Sequence, residues 1–278
     1  MMEEFFYGHH DLQKIALYQP PPKRDVPRPE NALWLIYIHG GAWRDPSITE
    51  LTFEQTVKTL LSSRWIDRIR GFASISYRLS SHPDYKQDPT TVTTKKRDAK
   101  HPDHIEDVLE ALVFLQDNFR VGQRYILAGH SCGATLAFQT IMSQFAVPKF
   151  AKPRGIVGLA GIYNLRGLRD RKSDEVYQTF LTGAFGENEA DWDSASPVNM
   201  VPTENPWPNG RLVILASSTM DEAVDAEQID EMAKTLEGYD GLKIDTWKQI
   251  LHCSHDEIWS GDGLAEVLER FLDVYFLK

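Results

Sequence analysis

Cysteine is nearly absent from this chain of 278 residues, which has only Cys132 and Cys253. Two cysteines build no disulfide framework, so the core must hold the fold, and two free thiols in an intracellular protein is the simpler reading. Positive charge is also in short supply. Lys and Arg total 30 against 40 Asp and Glu, a formal net charge of −10, so the clustered cationic surface of a nucleic-acid-binding protein is not expected. No apolar run approaches the roughly 18 residues of a membrane span. The opening MMEEFFYGHHDLQK has no apolar core of signal-peptide length. These absences predict a soluble, cytoplasmic protein that contacts neither membrane nor nucleic acid. The spacings H-x-x-x-H and C-x-x-C do not occur, nor does a Walker loop or G-x-G-x-x-G, so neither a metal nor any other cofactor is expected.

What the chain does have is ordinary globular composition, 42% hydrophobic and 25% charged, and enough length to bury most of its apolar surface. Short apolar runs at 33–38 (LWLIYI), 71–77, 124–128, 155–160, 211–216 and 242–247 predict strands apolar on both faces. Between them, 105–119, 132–145, 225–236 and 264–276 carry apolar residues at helical spacing. The alternation predicts one α/β domain over 1–278, with a mostly parallel sheet and helices on both faces. Two segments interrupt it. Residues 80–103 are polar and read as a surface insertion. Residues 165–210 mix Pro, Trp, Gly and acids and read as a small lid over the C-terminal edge of the sheet.

Gly129-His130-Ser131-Cys132-Gly133 fits G-x-S-x-G between the strand 124–128 and the helix that follows. That strand–turn–helix context is the one a nucleophile elbow needs. Glycines flank the serine because side chains there would collide with neighbouring backbone, and the strained turn projects the hydroxyl at a helix N-terminus. Upstream, His39-Gly40-Gly41-Ala42-Trp43 ends the strand 33–38. Its glycines let main chain approach a substrate, so the N–H groups of Gly41 and its neighbour Ala42, with that of Cys132, are candidate oxyanion donors. His39 reads as an anchor of that loop.

In the α/β-hydrolase order of serine, acid, histidine, the acid should follow the strand 211–216. Asp221 is the choice there, with Glu222 and Asp225 as rivals that also suit the first turn of a helix. His255 is preferred over His252 as general base, since it lies directly before the final helical region. The remaining histidines, including His82, His104 and His130, read as surface or loop residues.

Taken together, HGGAW at 39–43 and GHSCG at 129–133 resemble the HGGXW branch of the α/β-hydrolases, which holds kynurenine formamidases and carboxylesterases. The runs WRDP at 43–46, SYRLS at 76–80 and GIYNL at 161–165 are similar to fungal kynurenine formamidases in particular. The resemblance implies an α/β-hydrolase fold and cleavage of N-formyl-L-kynurenine to L-kynurenine and formate, in tryptophan breakdown and NAD biosynthesis. It implies Ser131, Asp221 and His255 as the triad and Gly40, Gly41 and Cys132 as the oxyanion region. Trp43 and Tyr163 are expected to bind the aromatic amine. A homodimer is compatible with the sequence. The rivals are a short-chain carboxylesterase with the same triad and a non-catalytic ligand-binding protein on the same fold.

Overall fold

The computed structural model describes residues 2–277 apart from 22–27, 146–150, 202–206 and 209. In chain order, the strands and α-helices are β1 (Glu3–Phe6), β2 (Lys14–Tyr18), β3 (Leu33–Ile38), α1 (Glu54–Leu60), β4 (Ile69–Ile75), α2 (Asp103–Phe119), β5 (Tyr125–His130) and α3 (Cys132–Gln139). There follow β6 (Gly155–Leu159), α4 (Leu165–Lys172), α5 (Glu175–Phe185), α6 (Glu189–Ala195), β7 (Leu212–Ser218), α7 (Glu227–Leu236), β8 (Lys243–Leu251), α8 (Glu257–Ser260) and α9 (Gly263–Phe276). The strands form one eight-stranded sheet in the order β1-β2-β4-β3-β5-β6-β7-β8. The first two are antiparallel, and β4 through β8 run parallel with β3 among them.

Alternation explains why LWLIYI is apolar throughout. Trp34, Ile36 and Ile38 enter a core shared with α2, α3 and α7. Leu33, Leu35 and Tyr37 enter the opposite core with α1 and α9. Both faces of the strand are thus fully used. The sequence gives strong periodic signals for α2, α7 and α9, and each forms within two residues of its expected start. The helix expected over 132–145 is shorter: α3 ends at Gln139, and a 3-10 turn covers Ser143–Phe145.

The expected lid segment holds α4, α5 and α6, and its residues 202–206 and 209 lie outside those described. Helices α4 and α5 are stapled to the loop after β7. The Tyr177 hydroxyl donates to the Ala223 carbonyl (2.7 Å), Lys172 Nζ to that of Glu222 (2.7 Å), and Arg171 Nε to Asp225 (2.7 Å). The loops after β3, β5, β7 and β8 all leave the same, C-terminal edge of the parallel strands. In an open α/β sheet this is the edge where ligand sites form.

Candidate active site

Strands β3 and β5 are neighbours, with Ile38 opposite Gly129, so the turns that leave them meet. Ser131 sits in the turn after β5 at φ 55°, ψ −125°, a conformation that costs a side-chain-bearing residue about 1–3 kcal/mol. Space enforces it. A Cβ on Gly129 would lie 2.3 Å from the Gly133 carbonyl oxygen, and one on Gly133 would lie 2.2 Å from that of Ile38. The elbow therefore packs directly on β3. The Ser131 N–H donates to the Leu159 carbonyl (2.9 Å), and its own carbonyl accepts from Ala134 (3.0 Å). Ser131 itself opens α3, where the helix N-terminus favours developing negative charge, and lines a cavity of about 270 Å³.

The chain leaving β3 turns through three consecutive positive-φ residues, Gly41 (96°), Ala42 (49°) and Trp43 (58°). The Arg44 and Asp45 N–H groups close the turn by donating to the Gly41 carbonyl, each at 2.9 Å. Gly41 and Ala42 line the cavity beside Ser131. Gly40 lies one step behind, where a Cβ would come within 3.2 Å of Ser131 Cβ and 2.9 Å of His130 Nδ1. The Cys132 thiol ties the two turns together. Its Sγ accepts from the Trp43 N–H (3.3 Å) and lies 3.5 Å from the Tyr77 hydroxyl. Burial pushes this thiol up to about 11, so it stays protonated at neutral pH and is no rival nucleophile. His39 is held as an anchor would be. Its Nδ1 bonds the Gly40 carbonyl (2.9 Å), and its ring stacks on Tyr77 with centroids 4.6 Å apart.

Asp221 and His255 come from the loops after β7 and β8. Nδ1 of His255 lies 3.0 and 3.1 Å from the two carboxylate oxygens of Asp221. Asp221 Oδ1 also accepts from the N–H groups of Ala223 (3.0 Å) and Val224 (2.9 Å), and Glu222 takes the His255 N–H (3.1 Å). With Nδ1 held by Asp221, Nε2 is the nitrogen left for the cavity, which His255 lines together with Ser131. The His255 ring rests on that of His130, with centroids 4.5 Å apart. His252 is exposed, its Nδ1 bonded to the Thr219 hydroxyl at 3.0 Å, and it does not line the cavity. Glu222 and Asp225 are occupied by the His255 backbone and by Arg171 respectively.

Two expected substrate contacts need correcting. Trp43 and Tyr163 are both fully buried and line no part of the cavity. The left-handed turn drives the Trp43 ring into the core between Phe180 and Phe185, at centroid distances of 6.1 and 4.9 Å. Tyr163 packs edge-on against Phe138 (5.4 Å), its hydroxyl over Gly158. The wall is built instead by Ile48, Leu168, Tyr177 and Phe180, with Arg44 and His82. The histidines expected at the surface also differ: His104 and His130 are buried. His82 belongs to the polar segment 80–103, which is otherwise mostly exposed. The adjacency of Arg44 to HGGAW was the one available signal for any of these wall residues.

Comparison with known proteins agrees with this architecture. The chain matches the BD-FAE family model over residues 18–236. It is 41% identical over 86% of its length to the kynurenine formamidase-like hydrolase fscH of Fusarium equiseti, covering 83% of that protein. It is 38% identical to the kynurenine formamidase avaC of Aspergillus versicolor, over 85% of this chain and 86% of that one. The structure of esterase B from Lactobacillus rhamnosis superposes with a TM-score of 0.66 at 17% identity, over 99% of this chain and 88% of the other. An esterase of Pyrobaculum calidifontis gives 0.67 at 16% identity, over 99% and 86%. The two esterases share the fold with this chain, and the fungal relatives share its sequence: the chain belongs to the kynurenine formamidase family of α/β-hydrolases.

Proposed function

We propose that this protein hydrolyses the formamide of N-formyl-L-kynurenine to L-kynurenine and formate. The observation that carries the reading is the meeting of Ser131 and His255 on one small cavity, with Asp221 bonded behind the imidazole. In the first step Nε2 of His255 takes the Ser131 proton as Oγ attacks the formyl carbon, and Asp221 stabilises the imidazolium. The oxyanion is held by main-chain N–H groups of the Gly40–Ala42 turn and of Cys132. His255 returns the proton to the departing aryl amine, which leaves formyl-Ser131. Water then attacks that ester with His255 as base, releasing formate and the free serine. A formyl group needs almost no acyl pocket, so the apolar wall of Ile48, Ile162, Leu168, Val176 and Val224 serves the aryl ketone.

A cytoplasmic role in tryptophan breakdown and NAD biosynthesis belongs to the same proposal. Free thiols at both Cys132 and Cys253 support a reducing compartment. The test is formate release from N-formyl-L-kynurenine by the wild type and by Ser131→Ala. Loss of at least about a thousandfold in kcat is expected on removing the nucleophile, and formamidase activity that survives the change sinks the mechanism. The esterase alternative is judged by kcat/KM for this formamide against an aryl acetate.

A further inference from the structure

Arg44 stands one residue beyond the candidate oxyanion turn and is 8% exposed. It lines the cavity that holds Ser131 and His255. A guanidinium so enclosed ordinarily meets a carboxylate. The other arginines near the site do so. Arg78 is chelated by Asp107 (Nη2–Oδ1 2.7 Å, Nε–Oδ2 2.9 Å), Arg169 is bonded to Glu189, and Arg171 holds Asp225 and Glu231. Among the described residues, the Arg44 side chain has neither a hydrogen bond nor an ion pair. Its guanidinium lies over the face of Phe180, with Cζ 5.7 Å from the ring centroid. Asp45 and Asp84 act on it only at longer range, and Asp45 Oδ1 is taken by the N–H and hydroxyl of Ser47 (2.8 and 2.6 Å).

The geometry points to Arg44 as the residue that binds a carboxylate on the substrate, and so selects amino-acid-bearing aryl formamides over neutral ones. Five N–H donors in a planar fork suit a carboxylate, and the apolar wall raises the strength of such a contact. The fork is also set at a fixed reach from the reacting carbon. Arg44 N–H closes the Gly41 turn itself, so the carboxylate clamp and the oxyanion donors share one rigid piece of backbone. His82, 13% exposed at its side chain, lines the cavity too. Burial, and the charge of Arg44, hold its pKa below the ordinary range. Its Nδ1 accepts from the Asp84 N–H (3.1 Å), which selects the Nε2–H tautomer and offers a second, neutral donor. The segment 80–103 thereby contributes to the site.

This inference rests on the formamidase reading, and its test separates the two. Four compounds are compared: N-formyl-L-kynurenine, its primary carboxamide, and the two corresponding aryl esters in which an acetate ester replaces the formamide. Turnover of both esters and of neither formamide would overturn the formamidase reading alone. For Arg44, the readout is the kcat/KM ratio of acid to carboxamide within whichever pair is turned over. Because it is a ratio on one preparation, it does not depend on how much of a variant folds. Wild type should favour the acid, and Arg44→Met should lower the ratio roughly 10- to 100-fold, the worth of a charged, bidentate contact. Arg44→Lys should recover part of it. A wild-type ratio near one, or a ratio that Arg44→Met leaves unchanged, overturns the assignment.

Discussion

Asp221 receives more hydrogen bonds than the histidine it faces can supply. Two come from backbone N–H groups of its own loop and two contacts from Nδ1 of His255, so its orientation is fixed before substrate arrives. Replacing it with Asn keeps the size but offers Nδ1 an amide donor, which favours the wrong tautomer of His255. Asp221→Asn should therefore lower kcat by about 10³- to 10⁴-fold with KM little changed. Steady-state kinetics check this, and a loss under tenfold would mean that His255 needs no partner. At this scale the sequence was legible where chemistry dictates position. The elbow fixes Ser131, and chain order narrows the acid and the base to a few neighbours. Loop position favours His255 over His252, but their partners, Asp221 for one and Thr219 for the other, are visible only in the fold. Arg44 and Arg78 look alike in sequence, because their difference is a partner: Asp107 for Arg78 and, among the described residues, no carboxylate for Arg44. Trp43 was misread because aromatic character looks the same in a core and at a cavity wall.

Glycine shows how differently one substitution acts in two elements. At Gly133 an added methyl would press on the Ile38 carbonyl at 2.2 Å. That carbonyl belongs to β3, which is locked between β4 and β5 and cannot retreat. Gly133→Ala should cost about 3 kcal/mol, the upper end of ordinary overpacking, or roughly a 6–12 °C fall in Tm for a chain of this class, and should disrupt activity through the elbow. Gly183 lies within α5 with nothing inside 4 Å of its would-be Cβ. Gly183→Ala should raise stability by about 0.5–1 kcal/mol through helix propensity. Thermal melts of the two variants check the opposite signs, and a destabilised Gly183→Ala would show that α5 owes its shape to that glycine. The same locality explains which elements were readable. Strands buried on both faces announce themselves as apolar runs. The edge strand β1 reads EEFF and is largely exposed, and its partner β2 offers only the three buried apolar residues Ile15, Ala16 and Leu17, a run too short to stand out. The boundary of α3 at Gln139 also escaped, because the apolar residues continue into the turn beyond it.

Across the whole molecule, burial leaves a set of histidines neutral. It draws His39 and His101 down to about 4 and His104 to about 3, and holds His130 well below the usual range. In the unfolded chain each titrates near about 6.5. Between that value and about 4 the unfolded state binds more protons than the folded one, so stability is fully present above about pH 6.5 and is lost as the pH falls. Each such group contributes up to about 1.4 kcal/mol per pH unit within that window. Burial raises the carboxyls of Glu50, Glu110 and Asp225, which acts in the opposite sense and begins lower, as carboxylates protonate. Histidines therefore dominate the upper part of the range. His104, wholly buried in α2 with Nε2 3.1 Å from the Ser80 hydroxyl, isolates the effect. Gln in its place retains a polar group for Ser80 and removes the proton acceptor. Urea midpoints measured from pH 7.5 to 5.5 should fall for the wild type and fall less steeply for His104→Gln. Parallel curves would mean that His104 does not resist protonation in the fold, and that its burial carries no penalty to release.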